Sequence, residues 1–379
     1  MQLDVKERFY SLDFLRGIAA ISIVFWHWNH FFWNTGWLNA SSYDQLPLFS
    51  IFKPFYTKGQ LAVELFYSLS GFIFFWLYSE KLTEKTISGK SFFVLRFSRL
   101  YPLHFLSLVL TFLLQLIYAN CNGNYFVYAY NDLYHFVLNV FFIQSWGFEK
   151  GYSFDGPSWS VSIEVMMYVL FFIFCYIGLI RRTLLLILLA AGVFYFKWIP
   201  ESIQMGFFCF FTGGITYRIF KLLEERWSEY FFIPLVIGVV FAWMIASGNI
   251  NCAEILAKGE QHTLFSKVIH FFTYLYPQSI LFPLTILLFA SSEKKLKRIW
   301  SKIGRIGDIT YSSYLLHFPL QLLFILIFSA LGISHSFFTT TISLLIFFFF
   351  LILISVLSYR KFEVPIQKLI RNKFAGKNK

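Results

Sequence analysis

The long apolar stretches of this chain constrain its fold more strongly than any other feature. Several windows of about 18 residues or more contain almost no charged side chain, and a helix of that length can cross the hydrocarbon core of a bilayer. Hydrophobic residues make up 58% of the sequence and charged residues 14%, against about 25% charged residues in a soluble domain. The sequence therefore predicts an all-α, polytopic integral membrane protein.

Ten transmembrane helices are predicted, in a single membrane-embedded domain that covers residues 1–379. The spans lie near residues 12–33, 61–79, 102–119, 161–180, 183–199, 202–220, 230–247, 268–290, 309–331 and 337–359. Both termini then lie on one side of the membrane, and the loops on that side hold most of the 32 Lys and Arg residues. The positive-inside rule makes this side cytoplasmic. Topology and anionic lipid thus explain the net charge of +12, and we expect no nucleic-acid partner.

Four further expectations concern the loops and the chain ends. The first apolar stretch is long and has no small-residue cleavage site, so it is predicted to be a retained helix. The chain ends shortly after the last predicted span, and no appended soluble domain is expected. Cys121 and Cys252 lie in predicted outer loops, which leaves a disulfide between them open. The apolar run His135–Trp146 is too short to cross the bilayer and is predicted to be interfacial or re-entrant.

Two ionisable side chains, Arg16 and His27, lie eleven residues apart in the first apolar stretch. In an α-helix this places them on nearly the same face, about 16 Å apart along the axis. Ionisable groups inside a bilayer are costly and usually face a polar cavity, so the pair indicates a polar path into the membrane. His27 can act as a general base on a hydroxyl or as a transient acyl carrier. The alternative is a histidine satisfied by a neighbouring helix, and His30 is assigned to the outer interface.

A second group of basic residues lies at the cytoplasmic mouth of the third predicted span. Arg96 and Arg99 are three residues apart and share one helix face. Guanidinium groups bind phosphate through two parallel hydrogen bonds, so these arginines together with Arg16 form a candidate site for a phosphorylated donor. The alternative for Arg96 and Arg99 is an ordinary positive-inside anchor.

Three more segments carry polar residues into or beside the predicted spans. Glu64, near the outer end of the second span, can orient His27 or a sugar hydroxyl, whereas Ser70 and Gly71 favour close helix packing. The candidate substrate-binding residues are Trp159, Ser160 and Glu164, where the long outer loop enters a span, and Tyr311 and His317 in the ninth span. An exposed Trp beside hydroxyl and carboxyl groups suits a sugar ring, although Trp is also common at membrane interfaces. The eight histidines show no metal-ligand spacing, and no metal is expected.

Six of these motifs, in this order, resemble the membrane acyltransferase-3 family over nearly the whole chain. The matching residues are Arg16-x10-His27, Glu64-x-Phe66 to Ser70-Gly71-Phe72, Arg96-Phe97-x-Arg99-x-x-Pro102, Trp159-Ser160-x-Ser162-x-Glu164, Thr310-Tyr311-Ser312-x-Tyr314-Leu315-x-His317-x-Pro319 and Glu363-x-Pro365. The resemblance implies a multi-pass protein of the bacterial inner membrane with about ten helices. It also implies O-acylation of a cell-envelope saccharide such as O-antigen, capsule or exopolysaccharide. The donor implied is cytoplasmic acetyl-CoA or another short acyl-CoA.

The resemblance also implies roles for individual residues. His27 resembles the essential histidine of the family, Arg16 its partner, and Arg96 with Arg99 the donor-side pair. Glu64, Trp159 and Glu164 match acceptor-side or structural positions. The chain departs from many relatives at Val165, where they carry a second acidic residue, so a role for two carboxylates there is in doubt.

The sequence thus leads to the hypothesis of an O-acetyltransferase that acts on an envelope saccharide in the lipid bilayer. Catalysis is assigned to His27, Arg16 and Glu64, and donor binding to Arg96, Arg99 and Arg16. The competing hypothesis is a transporter that exports a glycolipid or a small anion along the same charged residues. A structural partner in a polysaccharide-export complex is a third possibility.

Overall fold

A computed structural model describes residues 8–33, 43–227, 230–247 and 274–374 of the chain. All regular secondary structure in these residues is helical, which confirms the predicted all-α class. The α-helices, in chain order, are α1 Tyr10–Trp26, α2 Phe49–Lys58, α3 Leu61–Phe74, α4 Glu80–Thr83, α5 Gly89–Asn122, α6 Leu133–Val140, α7 Trp159–Tyr176, α8 Thr183–Gly192, α9 Glu201–Trp227, α10 Phe232–Ala246, α11 Phe282–Lys295, α12 Lys297–Ile303, α13 Thr310–Ala330, α14 Thr341–Ser358 and α15 Val364–Phe374.

Five helical segments of the described residues are long and apolar enough to cross a membrane. They are Leu61–Thr83, Gly89–Asn122, Gly156–Tyr176, Lys297–Ala330 and Thr341–Phe374. Two shorter apolar segments are Thr183–Tyr195 and Phe232–Ala246. The chain is therefore a multi-pass membrane protein, while the count of ten spans and the cytoplasmic side of the termini stay predictions. The first part of the predicted span 268–290 and Cys252 lie outside the described residues, so the disulfide expectation is untested.

Helices α3 and α9 make the most extensive helix–helix contact among the described residues. A Cβ atom on Gly71 would lie 1.8 Å from the Phe210 carbonyl oxygen, and one on Gly213 would lie 1.9 Å from the Ser68 carbonyl oxygen. The two backbones touch at this crossing because neither glycine has a side chain, as is common where membrane helices pack. The packing role predicted for Gly71 is confirmed.

Helix α1 packs against α2, α3, α11 and α13, and α13 in turn packs against α5 and α14. This arrangement places the first predicted span against α3 and α13, the helices that carry Glu64 and His317. Helix α15 lies along α5. The amphipathic α6, which covers part of the run His135–Trp146, is capped at its N-terminus by Asp132, whose side chain accepts a hydrogen bond from the His135 amide at 2.9 Å. Its eight residues are too few to cross a bilayer, as predicted.

The first predicted span is not a uniform α-helix. The α-helical part ends at Trp26, and a 3-10 helix continues over His27–Phe32. Side chains three residues apart eclipse one another in a 3-10 helix. The rings of His27 and His30 consequently stack, with centroids 4.7 Å apart and planes inclined by 19°. His30 is buried, with 6% of its surface exposed, and its position at the outer interface stays a prediction.

Candidate active site

A pair of hydrogen-bonded histidines lies where α13 meets the 3-10 helix that follows α1. His27 Nδ1 is 2.9 Å from His317 Nε2, and the two rings are nearly parallel, with centroids 5.0 Å apart. The second ring nitrogen of His317, Nδ1, lies 2.5 Å from the Tyr314 carbonyl oxygen. His317 is completely buried, whereas His27 retains partial exposure. The structure thus joins His317, predicted to bind substrate, directly to the candidate catalytic histidine.

The hydrogen-bond partners determine which nitrogen of each neutral ring carries the proton. A backbone carbonyl can only accept, so His317 Nδ1 donates to Tyr314. In a neutral imidazole the other nitrogen is then an acceptor, and His27 Nδ1 must donate to His317 Nε2. His27 Nε2 is left without a proton. The partly exposed ring of His27 therefore presents a basic lone pair to any group that reaches it.

Gln321 holds the 3-10 helix against α13, one turn beyond His317. Its Nε2 donates to the His27 carbonyl oxygen at 2.8 Å, and its Oε1 lies 3.1 Å from His30 Nδ1. The side chain of Gln321 is fully buried. Sequence reasoning missed this residue, although a polar side chain four residues after His317 on an apolar helix lies on the same face.

The predicted acceptor-side residues Trp159 and Ser160 begin helix α7. The Tyr314 hydroxyl donates to the Pro157 carbonyl oxygen, so the 2.7 Å contact between Ser160 Oγ and that hydroxyl is donated by Ser160. The ring of Trp159 lies 6.3 Å from the ring of Tyr152, which is 54% exposed. Ser160 is thereby connected to the histidine pair through Tyr314, and Trp159 lies beside an exposed aromatic side chain.

The predicted donor-side arginines come together at the other end of the site. Arg16 lies 3.7 Å from Asp13, and its side chain is 21% exposed. Its guanidinium also interacts electrostatically with Arg99 on α5 and with Glu164 on α7. Because eleven residues separate it from His27, Arg16 lies about 16 Å from that ring along the helix. The structure thus groups Arg16 with Arg99, and the contacts of His27 are made by His317 and His30 instead.

Arg96 lies against aromatic rings and beside a fourth arginine, Arg371, near the end of the described chain. Its guanidinium donates to the Tyr78 hydroxyl and lies 4.8 Å from the centroid of the Phe74 ring. Arg371 on α15 donates through Nε to Ser98 Oγ at 3.1 Å, between Arg96 and Arg99 along α5. Arg371 was missed because the sequence interpretation treated the whole basic tail as a topology signal. The structure adds it to the arginine group.

The remaining predicted residues have partners of their own. Glu164 Oε1 accepts hydrogen bonds from Ser70 Oγ at 2.7 Å and from the Tyr168 hydroxyl at 2.5 Å. Glu64 accepts a hydrogen bond from Gln278. The Tyr311 hydroxyl donates to the Leu100 carbonyl oxygen at 2.6 Å. The roles of these residues stay predictions. In the part of the chain that the structure describes, no group of three or more His, Cys, Asp and Glu side chains is arranged to hold a metal ion.

Two curated proteins illustrate what this chain is similar to. The "Putative acetyltransferase ORF330" of Acidianus two-tailed virus is 25% identical over 346 residues, which cover 86% of this chain and 87% of that protein. The "Protein 2 in picA locus" of Rhizobium radiobacter is 43% identical over 110 residues, or 29% of this chain. That second match spans 47% of the relative's length, about half of it. No solved structure matches the chain.

A protein-family model matches nearly the whole chain. The model for acyltransferase family 3, described as an acyltransferase domain, matches residues 9–360. The matched range contains both histidines of the pair, the arginines of α1 and α5 that are predicted to bind the donor, and the start of α7. The chain belongs to the acyltransferase-3 family.

Proposed function

We propose that this protein is an O-acyltransferase of the bacterial inner membrane. It transfers an acetyl or other short acyl group from cytoplasmic acyl-CoA to a hydroxyl of a cell-envelope saccharide such as O-antigen, capsule or exopolysaccharide. The observation that carries the proposal is the histidine pair, which leaves an unprotonated His27 Nε2 on a partly exposed ring inside a helical bundle. A positioned base of this kind is what acyl transfer to a weakly acidic hydroxyl requires.

The proposed reaction uses His27 first as a base and then as an acid. His27 Nε2 takes the proton of the acceptor hydroxyl while the oxygen attacks the thioester carbonyl carbon. The carbon–sulfur bond then breaks, and the imidazolium returns the proton to the departing thiolate. The products are the O-acyl saccharide and free coenzyme A. His317 stabilises the transient charge because it accepts a hydrogen bond from the Nδ1–H of His27.

The arginine group supports binding of the donor phosphates. Four arginines from three helices interact electrostatically: Arg16 on α1 with Arg99 on α5, and Arg371 on α15 with both Arg96 and Arg99. Clustered cations repel each other, and a polyanion such as the phosphates of acyl-CoA relieves that repulsion. Arg16 is far from His27 along α1, so we assign it to the donor rather than to the oxyanion of the reaction.

Arg371→Ala is expected to raise the KM for acetyl-CoA about tenfold while changing kcat little, since one charge-assisted phosphate contact is lost. Initial rates measured over a range of acetyl-CoA concentrations test this. Lys373→Ala is the matched control, because Lys373 lies on the same helix, carries the same charge and is exposed. An equal KM for the two variants contradicts the assignment of Arg371 to the donor site.

The proposed function is tested by reconstitution of the purified protein in proteoliposomes. The probes are acetyl-CoA labelled in the acetyl group and the unacetylated saccharide fraction from a strain that lacks the gene. We expect alkali-labile label on the saccharide, and no label when acetyl-CoA is omitted. A transporter instead predicts movement of the saccharide across the bilayer without acetyl-CoA and without transfer of label.

A further inference from the structure

Asp155 is a buried carboxyl group between α5 and α13, immediately before the helical segment that starts at Gly156. Only 2% of its surface is exposed. Its Oδ2 lies 2.7 Å from Ser107 Oγ on α5, and its Oδ1 has no hydrogen-bond partner among the described residues. The titratable groups that interact with it are the hydroxyls of Tyr128, from the outer loop, and Tyr314, from α13.

Ser107 has one hydroxyl proton but faces two acceptors. Besides Asp155, its Oγ lies 3.0 Å from the Leu315 carbonyl oxygen on α13. That carbonyl would normally accept from the amide of residue 319, but residue 319 is a proline and has no N–H. A backbone carbonyl left unsatisfied inside a membrane protein costs several kcal/mol. Ser107 therefore donates to Leu315.

If Ser107 donates to Leu315, the proton in the hydrogen bond between Ser107 and Asp155 must come from Asp155. With its own proton directed to Leu315, Ser107 Oγ presents a lone pair to Asp155 Oδ2, and only a protonated carboxyl can donate to it. An ionised carboxylate at this place would be buried with no cation beside it among the described residues, and it would repel the lone pair of Ser107. Burial raises the pKa of Asp155 to about 7.

We propose that Asp155 is held as a neutral carboxylic acid and acts as a positioning residue for the acyl-transfer site. Its proton keeps Ser107 directed to Leu315, which lies beside Tyr314 and two residues before His317 on α13. Tyr314 and His317 are the groups that determine the tautomer of His27. The inference rests on the proposed function, since it assigns a residue to that same site.

Ionisation of Asp155 would reverse the direction of the Ser107 hydrogen bond. Ser107 would then donate to the carboxylate and leave the Leu315 carbonyl without a donor at the proline in α13. Because Asp155 is protonated below a pH of about 7 and ionised above it, the aligned form of the site is lost as the pH rises through that value. Tyr128 does not titrate in this range, since burial raises its pKa well above the ordinary value. Its hydroxyl lies 3.5 Å from His30 Nε2.

The test compares Asp155→Asn with Asp155→Leu in the proteoliposome assay. The Asn side chain has nearly the shape of a neutral carboxylic acid, and its amide N–H can donate to Ser107. We expect Asp155→Asn to keep kcat within about threefold of wild type near pH 6 and to remove the fall in wild-type kcat above pH of about 7. Asp155→Leu should lower kcat at least about tenfold, as should Ser107→Ala, with little further loss when the two changes are combined.

Two kinetic results would overturn the proposal. The first is an Asp155→Asn variant as inactive as Asp155→Leu, because that outcome means that the ionised carboxylate is required. The second is an alkaline fall in kcat that Asp155→Asn leaves unchanged. The expression level and gel-filtration profile of each variant separate loss of activity from loss of folding.

A stability measurement separates failure of this proposal from failure of the proposed function. The carboxyl of an unfolded chain titrates near pH 4, so a proton held by folded Asp155 stabilises the protein fully below about pH 4. That stabilisation is lost as the pH rises through about 7. We expect the thermal midpoint of purified wild type to fall over this range relative to Asp155→Asn. Parallel midpoints refute a protonated Asp155, whereas divergent midpoints without acyl transfer refute the enzyme and leave the proton assignment standing.

Discussion

His27→Asn is expected to lower kcat for acyl transfer by about 10³ or more while leaving the amount of folded protein unchanged. Positioned general bases contribute about 10²–10⁴ to a rate. The Asn amide can occupy the place of the imidazole Nδ1–H and keep the hydrogen bond to His317. It offers no basic lone pair at the position of Nε2. The loss therefore measures the base itself and not the packing around it.

The measurement is the rate of label transfer from acetyl-CoA in proteoliposomes, together with the KM for acetyl-CoA. That KM should stay close to the wild-type value, because the donor phosphates are assigned to the arginines at the far end of α1. His335→Asn is the matched control. His335 lies close in space, with Nδ1 2.9 Å from the Phe31 carbonyl oxygen, but it has no contact with the histidine pair. Normal transfer by His27→Asn would remove His27 from the mechanism.

His317→Leu is expected to lower kcat by about 10², the second largest effect. The leucine cannot accept from His27 Nδ1, so the ring of His27 is free to place its proton on Nε2 and lose its basic lone pair. Holding a catalytic histidine in one tautomer is worth orders of magnitude in the Ser-His-Asp triad of serine proteases, an unrelated acyl-transfer site. The change also leaves a buried N–H without an acceptor.

His317→Gln distinguishes this explanation from a packing defect. The amide oxygen of Gln can accept from His27 Nδ1 close to the place of His317 Nε2, so this variant should recover most of the lost rate. Both variants are compared by kcat at saturating acetyl-CoA and by thermal midpoint. Equal activity of His317→Leu and wild type would show that the histidine pair does not orient the base. Equal loss in both variants would assign His317 a role beyond accepting one hydrogen bond.

Local features of the sequence were sufficient for the class of fold and for several of the residues. Hydropathy depends on composition over about 20 residues, so the apolar segments could be recognised without any knowledge of their neighbours. Gly71 could be assigned to helix packing for a similar reason, since small residues in spans recur where backbones meet. The grouping of Arg16 with Arg99 was also expected, because both lie at the same predicted membrane depth.

Contacts between distant parts of the chain could not be predicted in the same way. His27 and His317 are 290 residues apart, and their pairing depends on how α1 and α13 pack. The stacking of His30 on His27 was not predicted, because the change from an α-helix to a 3-10 helix after Trp26 has no clear local signal. Arg371 was missed because the positive-inside rule already explained the charge of the basic tail to which it belongs.

The sequence by itself determined that this chain is helical and membrane-spanning, and which ionisable residues lie within its apolar segments. Only the tertiary structure decided which of them act together. It set the tautomer of His27 through His317 and placed Arg371 beside Ser98. It also placed Asp155 against Ser107, whose hydroxyl donates to the Leu315 carbonyl that Pro319 leaves without an amide donor. The physical reason is that hydropathy and helical spacing are properties of neighbouring residues. A hydrogen bond between two helices forms only when packing brings the donor and the acceptor together and excludes water.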